Sequence, residues 1–439
     1  MRTLLVMLWF EWLNLFRNRL VIVLAVLLLG SAYFAAYNGS KRVQKQQIIL
    51  QKVKQTENTW YAENKQRLDS IEKGLRQVPK EWYKDPTNPL VLGAVRGAGK
   101  YAVLPPKPMG LLSTGQSDIF PFYSKVSFFA ENAAQDNENF ENPFNTALGE
   151  FDLAFVLVFL LPLLIISLGY DVFSAEREQG TLRLVMAMPV QLTKWLFQKI
   201  LFRYLLLSLL ATIILAAVLL SFAISPFSLS FVYLIISTLL YTLFWFSAAF
   251  IVNLWQRSSA FNAAALLSLW IFFAIIAPGT VNLMAFTLYP VPSRVVYVNA
   301  NRAIDQQLEQ QEQTIVANFY AKNPQFKQPA EGSPKTWRER FVETIALREY
   351  KIQQQAKLDS SFQQKINQQR QFANRLQWSS PAIVFQQYLN QLAGTDTQTY
   401  LLFQAQVADF QRRWEAYFKD KFISQKPITT QDFAQFPQF

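Results

Sequence analysis

The chain has no cysteine and no histidine in 439 residues. Disulfides, thiol nucleophiles, Cys/His zinc sites and imidazole acid–base chemistry are excluded together. An enzyme made from this sequence would have to work with carboxylates, hydroxyls or lysine. The most telling absence is of charge: no Lys, Arg, Asp or Glu lies between Arg203 and Arg257. A soluble core of that length needs polar punctuation for its surface, and this stretch has none.

What fills the gap is Leu, Ile, Phe, Val and Ala. One spanning helix takes roughly 20 apolar residues, so the run holds two, folded back at Ser225-Pro226-Phe227-Ser228. The chain is 51% hydrophobic and 15% aromatic, with 38 Phe and 11 Trp. Its formal net charge of +12 fits an anionic surface or nucleic acid. Basic residues flanking spans explain it more plainly, and no nucleic-acid partner is expected.

Read in order, residues 1–19 form an amphipathic interfacial helix. Glu11, Asn14, Arg17 and Asn18 fall on one face, with Leu8, Trp9, Trp12, Leu13 and Phe16 covering the rest. Span one is 20–37. Arg2, Arg17 and Arg19 precede it, which puts the N-terminus in the cytoplasm. A cleaved signal peptide is the rival, but Lys41-Arg42 follow at once and favour an uncleaved anchor.

Residues 38–150 read as an extracytoplasmic domain with a long helix to about Leu75, followed by a proline-rich, loop-rich part. Residues 151–288 hold spans two to five, with a charged connector at 171–203. Span two carries Pro162. Span five runs from Ala260 to about Ala277, where Pro278-Gly279 is expected to break it, leaving Val281–Leu288 as a re-entrant or interfacial piece. Residues 289–439 form a Gln-rich, helical C-terminal domain, which five spans with an inside start place outside the membrane. The fold class is an α-helical polytopic membrane protein, with about five spanning helices and two mainly helical extracytoplasmic domains.

Gly93–Tyr101 has the look of a phosphate loop and fails on inspection. Ala94 stands where the pattern needs glycine, and Tyr101 where it needs Ser or Thr. The connector is sharper. Tyr170-Asp171-Val172-Phe173-Ser174-Ala175-Glu176-Arg177-Glu178-Gln179-Gly180-Thr181-Leu182 leads to Met188-Pro189-Val190, Lys194 and Lys199. A charged helix, a glycine break and a second helix make a rigid protrusion that can sit in a cleft of a soluble partner. An ordinary loop with anchoring charges fits the same residues equally well.

Asp171 to Leu182, with Met188-Pro189-Val190 and Lys199, resembles the stretch after the second span of type-2 ABC transporter permeases, which carry a Glu-Arg-Glu-x-Gly-Thr-Leu string, then Pro, then Lys. Gly115–Pro121, Asn142-Pro143-Phe144, Phe151–Val156 and Ser380-Pro381-Ala382 resemble a branch with a large insertion between spans one and two. The resemblance implies a permease subunit of an ABC exporter-type complex in a bacterial inner (cytoplasmic) membrane, multi-pass and not itself an enzyme. It implies no cofactor of its own, with ATP bound by a separate ABC ATPase subunit. Glu176, Arg177, Glu178, Gly180 and Thr181 would then be ATPase-coupling residues, and residues 1–19 the connecting helix. A second permease copy or a sibling permease would complete the path, among membrane lipid and with a candidate periplasmic partner. Family members usually have six spans, whereas five are found here.

Asp152, where span two meets the outer face, is a candidate path entrance or an interface-anchored carboxylate. Gly115–Pro121 reads as a turn with a buried or capping Asp118, and Arg203 and Arg257 as snorkelling anchors. The leading alternative function is mechanical: an ATP-driven assembly component acting on periplasmic partners without moving a solute. A membrane-embedded enzyme would have only Glu150 and Asp152 as paired carboxylates. A sensor would need a cytoplasmic output domain.

Overall fold

The computed structural model describes residues 11–13, 19–94, 98–129, 151–187, 191–324, 326, 335–424 and 426–439. The expectations placed on Met188-Pro189-Val190, Asn142-Pro143-Phe144, Glu150, Val95–Gly97 and most of residues 1–19 lie outside that set.

Helix α1 (Arg19–Glu72) is a single helix of 54 residues. At about 1.5 Å per residue it is roughly 80 Å long, against a hydrocarbon core of about 30 Å. The span expected to end at Tyr37 therefore runs on into its polar continuation as one rod. Residues 41–72 are rich in Gln, Lys and Glu, all good helix formers, and no proline interrupts them. The rod stops at Gly74, whose φ of 71° is a left-handed cap. Its N–H bonds the Ile71 carbonyl, and the Leu75 N–H bonds that of Ser70.

Next come α2 (Pro89–Gly93) and an antiparallel hairpin of β1 (Lys100–Val103) and β2 (Tyr123–Val126), paired from Lys100↔Val126 to Val103↔Tyr123. Gly99 and Tyr101 of the rejected phosphate-loop pattern thus flank or join a strand. Span two is α3 (Leu153–Phe155), a π turn at Val156–Leu160 and α4 (Leu161–Gly169). The connector follows as α5 (Ser174–Glu178) and α6 (Leu182–Met186). Spans three and four are α7 (Leu192–Ser221) and α8 (Leu229–Leu254). Span five is α9 (Ser259–Ile271), a π turn at Phe272–Ile276 and α10 (Ala277–Leu288). The rest is α11 (Arg294–Lys322), α12 (Trp337–Leu376), α13 (Pro381–Ala393) and α14 (Thr397–Ile423).

Among the described residues five helices are long and apolar enough to cross a membrane. The chain is an α-helical polytopic membrane protein.

Pro278-Gly279 does not break span five, which continues as one helix to Leu288. A proline inside a helix lacks the N–H that would bond the carbonyl four residues back, and its ring crowds that oxygen. Each intramembrane proline is accommodated by a π turn that begins six residues ahead of it: Val156 before Pro162 and Phe272 before Pro278. The wider turn opens the helix where the ring needs room. A second difference concerns span three, expected to begin after Arg203. Its helix starts at Leu192 and takes in Lys194, Lys199 and Arg203; the last two find carboxylates within the chain.

The chain divides into two compact units, Met1–Ala274 with Pro381–Phe439, and Ile275–Ser380. The C-terminal domain expected over 289–439 is therefore split. In the first unit, α14 buries Tyr400, Phe403, Val407, Phe410, Trp414, Phe418 and Phe422, a stripe at helical spacing. The Trp414 Nε1–H donates to the Gly93 carbonyl at 3.2 Å, and a Cβ on Gly93 would lie 2.5 Å from the Phe418 ring. Helix α13 places Ala382, Phe385, Leu389 and Ala393 in the same apolar core as the spans.

Three ties hold the polar half of this unit to α1. Arg42 donates to the Gly110 and Ser113 carbonyls at 2.6 and 2.8 Å. Glu57 accepts from the Tyr101 N–H at 2.6 Å. Glu72 accepts from the Thr430 N–H and hydroxyl, both at 2.8 Å.

In the second unit α11 and α12 form an antiparallel hairpin. Tyr297–Asp359 (2.6 Å), Asn301–Gln355 (3.2 Å) and Asp305–Lys351 (2.9 Å) step along it in opposite directions. Its second helix opens with a capping box between Thr336 and Glu339.

Candidate functional site

The connector leaves the end of span two through a turn held by two asparagines. Asn253, fully buried near the end of span four, donates to the Gly169 and Ala249 carbonyls, both at 2.8 Å. Its Oδ1 accepts from the Phe173 N–H at 3.1 Å. Asn262, in span five, donates to the Tyr170 carbonyl at 3.1 Å. Helix ends leave backbone groups without intrahelical partners. Here two side-chain amides from neighbouring spans supply them, which fixes where the chain emerges.

Helix α5 then presents its acidic residues to the spans. Glu178 accepts from the Ser259 backbone N–H and hydroxyl, both at 2.9 Å, at the start of span five. That places a carboxylate at the positive end of the helix dipole. Ser259 Oγ also lies 2.7 Å from Ser174 Oγ. Arg177 donates to the Gln256 carbonyl at 2.5 Å. Glu176 takes the Lys199 ammonium at 2.6 Å and also accepts from the Thr181 hydroxyl. Gly180 has φ 78° with open space where a Cβ would sit, which permits the reversal into α6.

Lys199 and Arg203, one turn apart on α7, complete a buried ionic cluster. Lys199 lies 3.3 Å from Glu11 and 4.6 Å over the Trp195 ring. Arg203 meets Glu11 at 2.7 Å and Asp171 at 3.4 Å, and donates to the Leu168 carbonyl. The Glu11 side chain is 2% exposed and that of Lys199 8%. Charges so placed persist only when paired and hydrogen-bonded. Arg203, expected to be a snorkelling anchor, is thus an internal ion-pair partner.

The arrangement ties one short helix to spans three and five by side-chain bonds, while Asn253 and Asn262 hold the turn leading into it. The side of α5 and α6 away from those spans leaves Gln179, Arg183 and Met186 exposed, Met186 at 65%.

Of the residues singled out from sequence, Glu176, Arg177, Glu178, Gly180 and Thr181 come together in this connector, with their polar contacts directed into the chain. Asp152 lies elsewhere. It caps span two through the Phe155 N–H at 2.8 Å and accepts from the Thr114 N–H at 2.8 Å and the Ser113 hydroxyl at 3.4 Å. Burial raises its carboxyl above the ordinary range, against the lowering effect of those bonds and of Arg42. This geometry is that of an anchoring cap. Gly115, with φ 49°, turns the chain so that the Gln116 N–H reaches the Thr395 carbonyl at 2.8 Å.

Sequence reasoning missed Asn253, Asn262, Ser259 and the inward role of Glu11. One signal was available: Asn253 and Gln256 are the only carboxamides between Leu205 and Gln256. An amide inside an apolar run costs free energy unless it is bonded.

Residues 111–265 match a family model described as ABC-2 membrane transporter related. Residues 294–439 match one described as a domain of unknown function (DUF3526). Neither a curated protein nor a solved structure matches the chain. The first match contains the connector and spans two to four, and it supports an ABC-2 type transporter permease joined to a second, separately recognised C-terminal region.

Proposed function

We propose that this chain is the permease subunit of an ABC exporter-type complex, driven by a separate ATPase subunit through residues 171–203. ATP binding and hydrolysis in that partner move α5 and α6. The Glu176–Lys199 and Glu178–Ser259 bonds carry the movement into spans three and five, and substrate passes outward. Two permease chains, a second copy or a sibling, form the path. The N-terminus lies in the cytoplasm of a bacterial cell, and the polar C-terminal region is extracytoplasmic. The carrying observation is that a short connector within the ABC-2 related match is bonded to two spans by its own acidic side chains.

The test is reconstitution of the purified complex with its ATPase in nanodiscs and vesicles. Glu176→Gln with Glu178→Gln, which removes both charges without setting a lysine beside Lys199, is expected to leave membrane insertion and ATP hydrolysis in place and to abolish ATP-driven movement of substrate. Undiminished transport in that double variant sinks the coupling role.

A mechanical reading is favoured by a different observation. Helix α1 runs without a break from the apolar span to Glu72 and is tied to the polar half at Arg42, Glu57 and Glu72. Such a rod transmits displacement as readily as it walls a path. A device of that kind keeps its function when the space between the permease halves is plugged, and a transporter does not.

A further inference from the structure

Span two is the most buried of the spans, and Pro162 sits within it. In α-helical register the residue-162 N–H would bond the carbonyl of Val158, four residues earlier, and proline has no N–H. In a bilayer core no water replaces that donor. The structure supplies one from another helix: the Tyr241 hydroxyl, on α8, donates to the Val158 oxygen at 2.8 Å. Val158 and Tyr241 are both buried. The Tyr241 ring in turn stacks on Phe385 of α13, with centroids 4.4 Å apart and planes at 25°. One side chain therefore gives a span-two carbonyl a donor from span four and stacks on a helix that begins more than 200 residues after Val158.

We propose that Tyr241 is a positioning residue: its hydroxyl holds the π turn that precedes Pro162 in span two, and its ring links that turn to α13. The hydroxyl is the part that bears on the turn, because a backbone carbonyl left without a donor in the bilayer core is costly. The effect on ATP-driven turnover rests on the permease reading. The hydrogen bond to Val158 does not.

The sequence offers a direct probe. Valine is followed by phenylalanine at only three places, Val158-Phe159, Val172-Phe173 and Val384-Phe385. Carbonyl-13C valine with 15N phenylalanine isolates those three carbonyls by solid-state NMR of the full chain in lipid. Tyr241→Phe removes the hydroxyl and keeps the ring; the Val158 carbonyl signal should move upfield, as a carbonyl losing a hydrogen bond does. Pro162→Ala restores a backbone N–H, so Tyr241→Phe added to Pro162→Ala should leave the Val158 signal in place.

A Val158 signal unmoved by Tyr241→Phe overturns the proposal, and so does an equal shift on both backgrounds. In the reconstituted complex Tyr241→Phe should lower ATP-driven turnover about fivefold, the scale of one lost net hydrogen bond. A shifted signal with full turnover removes the role in the cycle. If the wild-type complex itself shows no ATP-driven turnover, the permease reading fails while the spectroscopic test of Tyr241 still stands.

Discussion

Lys199 on span three lies 2.6 Å from Glu176 of the connector and 3.3 Å from Glu11, with its side chain 8% exposed. Removing one partner of such a group strands the others in a medium that disfavours unpaired charge. Breaking a buried pair typically costs about 3–5 kcal/mol, whereas removing both partners costs much less. Lys199→Met should therefore lower the thermal unfolding midpoint in nanodiscs substantially. Lys199→Met with Glu176→Gln should recover part of the loss, since Glu11 and Asp171 still share Arg203. A double variant no more stable than the single one would show that the two residues act independently.

Asn253 gives a second prediction. Its amide serves the Gly169 carbonyl and the Phe173 N–H at once. Asn253→Leu leaves both backbone groups unmet, at about 1–3 kcal/mol each. Asn253→Asp keeps the acceptor for Phe173 and loses the donor for Gly169. Amide exchange at Phe173 should accelerate strongly in the Leu variant and only weakly in the Asp variant. Equal acceleration in both would mean that burial, not the hydrogen bond, holds the turn.

Two glycines on α1 make a matched pair. A Cβ at Gly39 would lie 2.2 Å from the Leu111 carbonyl oxygen, while at Gly30 nothing lies within 4 Å. Gly30→Ala should be neutral or stabilise by up to about 1 kcal/mol through helix propensity. Gly39→Ala must push the 109–113 loop away and disturb the Arg42 bonds to Gly110 and Ser113. Thermal unfolding of the two variants side by side decides it. Equal midpoints would contradict the close approach at Gly39.

The spans were legible because each is a long apolar run, and a bilayer requires such runs. Their boundaries were less so. The rule that proline ends a helix misplaces the end of span five, because a π turn absorbs Pro278 within the helix. The rule that charge ends a span misplaces the start of α7, because Lys199 and Arg203 meet Glu11, Glu176 and Asp171 in three dimensions. The fold-back of α14 onto α2 rests on Trp414 and Gly93, more than 300 residues apart. No local periodicity encodes that pairing. The connector's acidic string stood out in the sequence, but the inward direction of its side chains did not. That depends on Ser259, Asn253 and Lys199, which come from different helices.

The last prediction concerns acid. Asp432 is buried and accepts from the Lys421 ammonium at 2.5 Å, the Thr429 N–H at 2.8 Å and the Thr429 hydroxyl at 3.0 Å. Burial alone would raise its carboxyl. The Lys421 and Thr429 bonds lower it and prevail, so the folded value lies below the ordinary 3.8. A carboxyl depressed on folding stabilises the folded state fully above its unfolded value of about 3.9. That contribution is lost as pH falls through the lower folded value. Amide exchange over residues 428–436, corrected for its intrinsic pH dependence, should report constant protection from pH 7 to 5. Protection should then fall below about pH 4. Asp432→Asn keeps an acceptor oxygen and loses the charge, so this segment should be less protected at pH 7 and show no acid step. An acid step that persists in Asp432→Asn would assign the transition to another carboxylate, with Glu72 at Thr430 the nearest tie to test.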